Sequence, residues 1–337
     1  MGKGRGKKLA DQIGSHAMYI QWVNRVCEHV KSLGKRPMFW GDIIAAHPET
    51  IRELPEDIIC MTWDYSLAPG DTNVRKLWEN GAHQYLCPGV QGWNQTIHLL
   101  DIAYENIKKM ASFAHQFDGE GLLTTDWGDY GHLQHPELAL VGIIYGAAFG
   151  WNSKIPEREE INADISVIEY GDRSATLIEI ISEMSNQAVM HWGELVQFSE
   201  TYRYQIAGKD MDTFWKGYLP RIETSLPHIV ECNETIRNDM AKVAALLVQI
   251  EDDRREGIAP VLHMAEGQIL INTILRVLDR EYLGHPDAYT GDTKALAEAL
   301  EIWYYEYRRQ WHKISRESEL YRIGELIFWL ADYIREL

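Results

Sequence analysis

The feature that most constrains the fold is a pattern that occurs four times in the first 151 residues. A short apolar segment ends in a tryptophan with acidic or amide neighbours, and a segment with helical spacing follows. We predict that each apolar segment is a buried strand, because it is short and apolar on both faces. The four segments are residues 36–44 (RPMFWGDII), 57–65 (DIICMTWDY), 83–93 (HQYLCPGVQGW) and 122–132 (LLTTDWGDYGH).

Helices are predicted around and between these strands from the spacing of their apolar residues. They cover residues 18–33, 48–54, 72–80, 96–117 and 138–151. Strands that alternate with helices indicate βαβ units, and therefore a parallel sheet that is covered on both faces. Residues 1–15 are rich in glycine and lysine, and we expect a loop or a frayed end there.

The character of the chain changes after Trp151, and from about Ile165 it shows helical periods with little strand pattern. Helices are expected within residues 176–204, 213–247, 260–283, 293–316 and 319–337, with breaks at Gly208, Pro220, Pro227, Gly257 and Pro286. The predicted fold class is thus α/β followed by all-α, with one domain over residues 1–155 and a second over residues 156–337.

Composition excludes several classes of protein. The 337 residues are 45% hydrophobic, enough for a full core, and the net charge of −17 argues against binding to nucleic acid. The short basic start is not followed by an apolar segment, so it predicts neither a signal peptide nor a nucleic-acid arm, and no apolar run suggests a membrane span.

Four cysteines occur without the spacing of a metal site, at Cys27, Cys60, Cys87 and Cys232. Cys60 and Cys87 lie inside apolar strand segments, where a buried free thiol is expected. This pattern predicts a reduced, cytoplasmic protein.

Tryptophan and acidic residues recur where the predicted strands end. In parallel α/β sheets ligands bind at the carboxyl ends of the strands. One tryptophan at such a place is usually core packing, but four at the same topological position indicate a binding site. The chain also has 12 tryptophans and 17 tyrosines, whose flat faces suit sugar rings. The predicted sugar-binding residues are Trp40, Asp42, Trp63, Asp64, Tyr65, Trp93, Asp126, Trp127 and Asp129.

Two of these carboxylates, Asp64 and Asp129, are weak candidates for a catalytic role, because a glycosidase needs an acid and a partner about 5–10 Å away. Hydrogen bonding to sugar hydroxyls or to backbone is the favoured interpretation for both. His132 and His135 either orient Asp129 or are surface histidines. A metal at Asp126, Asp129 and His132 has no supporting ligand spacing, so neither a metal nor a cofactor is predicted.

Four aromatic residues of the helical region, His191, Trp192, Trp311 and His312, are assigned to ordinary helix packing. The charged run at residues 251–256 is expected to be a solvated helix end.

At Trp40-Gly41-Asp42 and at residues 126–132 the sequence resembles the family 20 glycoside hydrolases, the β-N-acetylhexosaminidase-like enzymes. The supporting stretches are GKRPMFWGDII, DIICMTWDY, YLCPGVQGWN and TTDWGDYGHLQHPELALVGIIYGAAFGWN, which span most of residues 1–151, and the short WHKISRESEL near the end. The resemblance implies a (β/α)8 TIM barrel in which the strands seen here are the fifth to eighth. Residues 1–155 would then be a partial catalytic domain, with walls of Trp40, Trp63 and Trp127 around the sugar and Asp129 on its hydroxyls.

The sequence departs from this family at two points. The family's catalytic pair is an adjacent Asp-Glu at the end of the fourth strand. Its glutamate is the general acid, and its aspartate orients the substrate's acetamido group, which attacks the anomeric carbon; this retaining route is an exception to the usual two-carboxylate scheme. No such pair precedes Trp40 here. The family commonly has a tyrosine at the third of these strands for the acetamido carbonyl, and Trp93 or Gln91 occupies that region.

Two functions follow as expectations. The first is a glycoside hydrolase acting on terminal N-acetylhexosamine, of which this chain is the C-terminal half. The second is a non-catalytic carbohydrate-binding or scaffold protein that keeps the aromatic cleft. Half a barrel has open sheet edges. We therefore expect self-association into a homo-oligomer, cover by the helical region, or a partner chain that supplies the missing half.

Overall fold

The computed structural model of the protein describes residues 2–152, 154–204 and 210–337. The chain divides into two compact units. The first unit consists of Met1–Gly89, Tyr104–Thr125 and Tyr145–Ile155. The second unit consists of Val90–Ala103, Asp126–Ile144 and Pro156–Leu337.

The first unit contains a four-stranded parallel sheet in the order β1-β2-β3-β4. The strands are β1 Met38–Trp40, β2 Ile59–Trp63, β3 His83–Cys87 and β4 Gly121–Leu122. Cys60 lies opposite Phe39 and Gln84, and Tyr85 lies opposite Gly121. The predicted parallel arrangement of these four segments is confirmed, and with it the α/β character of the first half of the chain.

The fourth strand is much shorter than residues 122–132, the length predicted from sequence. After Leu122 only an isolated bridge between Gly89 and Thr125 continues the pairing. Pro88 directly follows β3, the strand that pairs with β4. Because proline has no backbone N–H to donate, the regular β-ladder ends there. Thr125 instead donates both its backbone N–H and its hydroxyl to the Pro88 carbonyl, each at 2.9 Å.

Helices alternate with the strands of the sheet, as the sequence pattern predicts. The last two of the six helices contribute residues to both units. They are α1 Lys7–Ile13, α2 Ser15–Ser32, α3 Asp42–Ala45, α4 Thr72–Glu79, α5 Leu100–Gln116 and α6 Leu140–Trp151. The prediction of a loop for residues 1–15 was wrong, because α1 forms there. An ion pair between Lys7 and Asp11, one helical turn apart, and the burial of Ala10 stabilise this short helix.

The core of the first unit lies where α2 packs with β2 and the segments around it. Ile20, Val23 and Cys27 of α2 share a buried cluster with Ile44 and Cys60. All four cysteines are free thiols. Burial raises the pKa of Cys60 and of Cys87 to about 12, so both are inert buried thiols, as predicted.

The second unit is helical, which confirms the all-α prediction for the C-terminal region. Its helices after Pro156 are α7 Arg158–Ile168, α8 Leu177–Asn186, α9 Trp192–Tyr204, α10 Met211–Ile222, α11 Ile229–Leu247, α12 Asp252–Tyr282, α13 Thr293–Ile314 and α14 Leu320–Glu336. The sequence patterns missed α7 and joined α8 to α9. The charged run at residues 251–256 forms the exposed start of α12, as expected.

Two predicted breaks do not end helices. Pro220 lies inside α10, and Gly257 lies inside α12 together with Pro260. In α12 the burial of the face that includes Ile258 and Val261 outweighs the poor helix propensity of Gly257 and Pro260. The predicted break at Gly208 lies outside the described residues. By length and composition α12 could cross a membrane, but 72% of its apolar window is buried within the protein, as in a core helix.

Candidate functional site

The segments that follow β1 and β2, residues 40–42 and 63–65, belong to the first unit and are called the first exits here. Trp63 is 42% exposed. Its ring stacks on that of Tyr65, with centroids 5.1 Å apart and an interplanar angle of 19°. Trp40 is half-buried at the end of β1. The first exits therefore present a flat, exposed aromatic surface.

The carboxylates of the first exits have local structural roles. Asp64 Oδ1 accepts hydrogen bonds from the Ser66 backbone N–H at 2.9 Å and from the Ser66 hydroxyl at 2.7 Å. The Asp64 carbonyl accepts from Asn106 Nδ2 at 2.9 Å. Asp42 is exposed in the first turn of α3. The pKa of Tyr19 is raised first by the burial of Tyr19 and next by the charge of Asp42. Turn formation and helix initiation thus account for both side chains.

The segments that follow β3 and β4, residues 90–99 and 126–135, belong to the second unit and are called the second exits. Their backbone is unusual, because four non-glycine residues there have φ between 52° and 64°. Each such conformation costs on the order of 1 kcal/mol, and residues that adopt it tend to cluster at functional sites. The four residues are Gln91, Asn94, Tyr130 and His132; in the described part of the chain only Asp118 and Ala175 share this conformation.

Buried polar atoms without a hydrogen-bond partner in the protein concentrate in the same two segments. Native structures rarely leave such atoms unpaired, and the exceptions are often functional. Those in the second exits are Asn94 Oδ1, Gln95 Oε1, both ring nitrogens of His98, His132 Nε2 and Gln134 Oε1. Strained backbone and unpaired polar atoms are independent observations, and both point to residues 90–99 and 126–135.

Asp126 lies at the centre of this polar group. Gln134 Nε2 donates to the Trp127 carbonyl at 2.5 Å and approaches Asp126 Oδ1 at 3.5 Å. His98 Nε2 is 3.9 Å from the same carboxylate oxygen. Burial raises the pKa of Asp126. Burial, helped by His132 and His135, lowers the pKa of His98 to about 3.

A neutral His98 is therefore present at physiological pH, and its approach to Asp126 is not an ion pair despite the short separation. The pKa of His135 is also lowered, to about 4, by burial first and then by Lys313. The second exits are consequently polar but carry no cation from His98 or His135.

Two motif glycines are explained by the same imidazoles. A Cβ on Gly92 would overlap the His98 ring, and a Cβ on Gly128 would overlap the His132 ring. Each histidine thus packs directly on backbone, a close approach that only glycine permits. The glycines of the QGW and DWGD motifs are accordingly required by His98 and His132, which pack against them.

Trp192 of α9 connects the two segments of the second exits. Its backbone N–H donates to the Asn94 carbonyl at 3.1 Å, and its indole N–H donates to the Tyr130 carbonyl at 2.9 Å. Only 1% of Trp192 is exposed. His191, next to it, also has a buried ring nitrogen without a partner. Sequence reasoning assigned both residues to ordinary helix packing, whereas Trp192 holds the backbone of both candidate segments.

The predicted sugar-binding residues are thus found in two groups. In the first unit the rings of Trp63 and Tyr65 are in contact. In the second unit Gln134 Nε2 donates to the Trp127 carbonyl and approaches the Asp126 carboxylate. Trp93 and Trp127 are half-buried and Asp129 is exposed, so a ligand can reach all three. Within the described ranges no three acidic, histidine or cysteine side chains form a metal-binding group, including the set Asp126, Asp129 and His132 considered from sequence.

His98, Gln95, Gln134 and Trp192 were not predicted. Their importance depends on contacts between segments that are distant in sequence. The available signal was the concentration of amide and imidazole side chains directly after two predicted strands.

Comparison with models of known protein families gave no match, and comparison with curated proteins gave none either.

Proposed function

We propose that the second exits bind a terminal sugar, and that this chain is a glycoside hydrolase-like protein of the β-N-acetylhexosaminidase type. The observation that carries the proposal is the coincidence of strained backbone with buried polar atoms that lack a partner in the protein, in the same two segments that carry Trp93, Trp127 and Asp129. A half-buried indole whose neighbouring segments carry buried amides and the neutral imidazole of His98 suits a neutral ligand that is rich in hydroxyls. Asp129 would accept hydrogen bonds from those hydroxyls.

The sheet supports the associated proposal for the fold. Its parallel strands are neighbours in sequence order, as in a (β/α)8 barrel, whereas a doubly wound sheet reverses its order at a switch point. We infer that β1 to β4 correspond to strands five to eight of such a barrel. The exposed pair Trp63 and Tyr65 is a further candidate surface for stacking on a sugar.

Hydrolysis by the substrate-assisted route requires an adjacent Asp-Glu pair, and none occurs in the 337 residues. The proposed hydrolase would therefore receive this pair from outside them. The alternative function is non-catalytic binding of carbohydrate. The engagement of Asp64 with Ser66 favours this alternative, because the local turn already accounts for one of the two candidate acids.

Binding is tested by titrating the protein with N-acetylglucosamine and with glucose, using ligand-observed NMR. We expect Asp129→Asn to weaken binding of the preferred sugar about tenfold or more through the loss of charge-assisted hydrogen bonds. Trp127→Ala should weaken it roughly two- to tenfold through the loss of stacking. The matched control is Trp151→Ala, since this indole is 90% exposed at the end of α6.

Activity is tested with an aryl N-acetylglucosaminide. Turnover that disappears in Asp129→Asn supports the hydrolase. Sugar binding without turnover is expected both of the non-catalytic alternative and of a hydrolase whose Asp-Glu pair lies outside these 337 residues. If wild-type protein neither binds nor hydrolyses any of these sugars, both functions are wrong.

A further inference from the structure

One face of α13, in the second unit, carries a pattern of side chains that the proposed function does not use. The opposite face of this helix is buried, and α13 packs on α14. Four exposed residues follow one another at intervals of four, three and three positions, so they are neighbours along one line of the helix surface. These residues, called the α13 stripe here, are Glu298, Ile302, Tyr305 and Arg308.

The centre of the α13 stripe is apolar. Ile302 is 62% exposed and Tyr305 is 59% exposed. The Tyr305 ring meets the ring of Phe328 on α14 edge-on, with centroids 6.2 Å apart, and Phe328 is itself 37% exposed. A single exposed apolar side chain is ordinary, whereas neighbouring ones form a continuous surface of the kind that protein partners cover.

The two ends of the α13 stripe carry opposite charges. Arg335 Nη2 is 2.7 Å from Glu301 Oε1, so this nearby acid is already matched. In the part of the chain that the structure describes, neither Glu298 nor Arg308 has an ion-pair partner. At a rise of about 1.5 Å per residue, the unmatched carboxylate and the unmatched guanidinium lie about 15 Å apart along the helix, on either side of the apolar centre.

This order of side chains is complementary to its own reverse. When two α13 helices pack antiparallel about a two-fold axis between Ile302 and Tyr305, Ile302 of one copy faces Tyr305 of the other. Glu298 then faces Arg308 of the other copy, and the same contact occurs twice, as in an isologous interface. Because the net charge of −17 makes two copies repel each other, self-association requires a face on which opposite charges meet.

We propose that the α13 stripe, together with Phe328, is the interface of a homodimer in which two copies of this chain pack α13 against α13 in antiparallel orientation. The inference is independent of the proposed function, because none of these residues lies in the second exits. The apolar centre is small beside the interfaces of permanent dimers. We therefore expect a reversible dimer with a dissociation constant on the order of 10 µM.

Sedimentation velocity over a micromolar concentration series, at physiological ionic strength, measures this dissociation constant. Tyr305→Glu should weaken self-association about a hundredfold or more, because it removes an aromatic contact and places an unmatched carboxylate at the centre of the interface. The matched control is Trp22→Glu on α2 of the first unit, since that indole is 54% exposed. This control should leave the dissociation constant unchanged, and circular dichroism verifies that both variants are folded.

Charge reversal tests the antiparallel orientation. Glu298→Arg places two arginines opposite each other, and Arg308→Glu places two glutamates opposite each other. Each variant alone should therefore self-associate about tenfold or more weakly than wild type. A mixture of the two variants restores opposite charges at both contacts and should form a heterodimer with about the affinity of the wild-type dimer. Labelling one variant with a fluorophore allows the heterodimer to be measured in the mixture.

Three results would overturn the proposal. The first is a wild-type protein that stays monomeric throughout the concentration series. The second is a dimer that persists in Tyr305→Glu, or one that is lost in Trp22→Glu, which would place the contact on the first unit. The third is a mixture of the two charge-reversed variants that associates no more tightly than either variant alone, because antiparallel packing of α13 requires the heterodimer to form.

Discussion

The first and second exits share a sequence pattern but differ in their physical state. Each follows a parallel strand, and each combines tryptophan with acidic or amide side chains. In the first exits Trp63 is exposed and Asp64 is satisfied by Ser66 within its own turn. In the second exits four non-glycine residues have left-handed backbone, and individual buried amide and imidazole atoms lack partners in the protein.

The difference shows that a motif at a strand end is not sufficient to identify a binding site. An exit whose polar side chains are hydrogen-bonded within their own turn needs no support from distant segments. It offers a ligand only its exposed aromatic surface. The second exits carry unfavourable free energy that the rest of the second unit must offset, through Trp192, Gln134 and the glycines under the histidines. Unfavourable free energy that is concentrated in one region is typical of functional sites.

The largest expected effect comes from removing the residue that supports the second exits. Trp192→Ala should lower the free energy of unfolding by about 3–5 kcal/mol, because it leaves a cavity and frees the Tyr130 carbonyl. The corresponding change in the first exits, Trp63→Ala, should cost less than about 1 kcal/mol, because that ring is partly solvated. Urea unfolding followed by circular dichroism measures both. Equal losses would contradict the distinction between the exits.

The sequence predicted most of the fold because its signals were local and repeated. Alternation of apolar strands with helices gave the parallel sheet, and the helical periods after Trp151 gave the all-α region. Element ends were less accurate where packing overrides propensity, as at Pro220 and Gly257, or where one residue stops a ladder, as Pro88 does.

The candidate site was predicted in part. The motif residues Asp126, Trp127 and Asp129 stand on the segment with strained backbone, and their exposed or half-buried side chains are open to a ligand. His98 and Trp192 were not predicted, because their roles depend on contacts with residues far away in sequence: Asp126 for His98, and Asn94 and Tyr130 for Trp192. The pattern of tryptophan and aspartate also could not distinguish the first exits from the second, since burial is a tertiary property.

The second expected effect is a dependence of stability on pH that originates in the second exits. The folded-state pKa of His98 is about 3, below its ordinary value of 6.5, so the unfolded chain binds the extra proton as the pH falls. Its contribution to stability is complete above about pH 6.5 and is lost toward pH 3, by about 1.4 kcal/mol for each pH unit. The raised pKa of Asp126 acts in the opposite direction over part of this range.

His98→Gln should therefore reduce the loss of unfolding free energy between pH 6.5 and pH 5 by on the order of 2 kcal/mol relative to wild type. Urea midpoints at several pH values measure this slope. The control is His29→Gln, an exposed histidine of α2 whose removal should leave the slope unchanged. An identical slope in wild type and His98→Gln would show that the imidazole is not held neutral in the folded state.

The smallest expected effect tests the first exits. Ser66→Ala removes the hydroxyl that donates to Asp64 Oδ1 but leaves the backbone N–H that donates to the same oxygen. Because Ser66 is exposed, water replaces the lost group, and the free energy of unfolding should change by no more than about 0.5 kcal/mol. Asp64→Ala removes the acceptor of both bonds and should cost somewhat more, about 0.5–1 kcal/mol, since the turn loses its side-chain support. A loss above about 2 kcal/mol in either variant, a size typical of buried polar networks, would mean that the first exits also depend on such a network. The two pairs of exits would then no longer differ in kind.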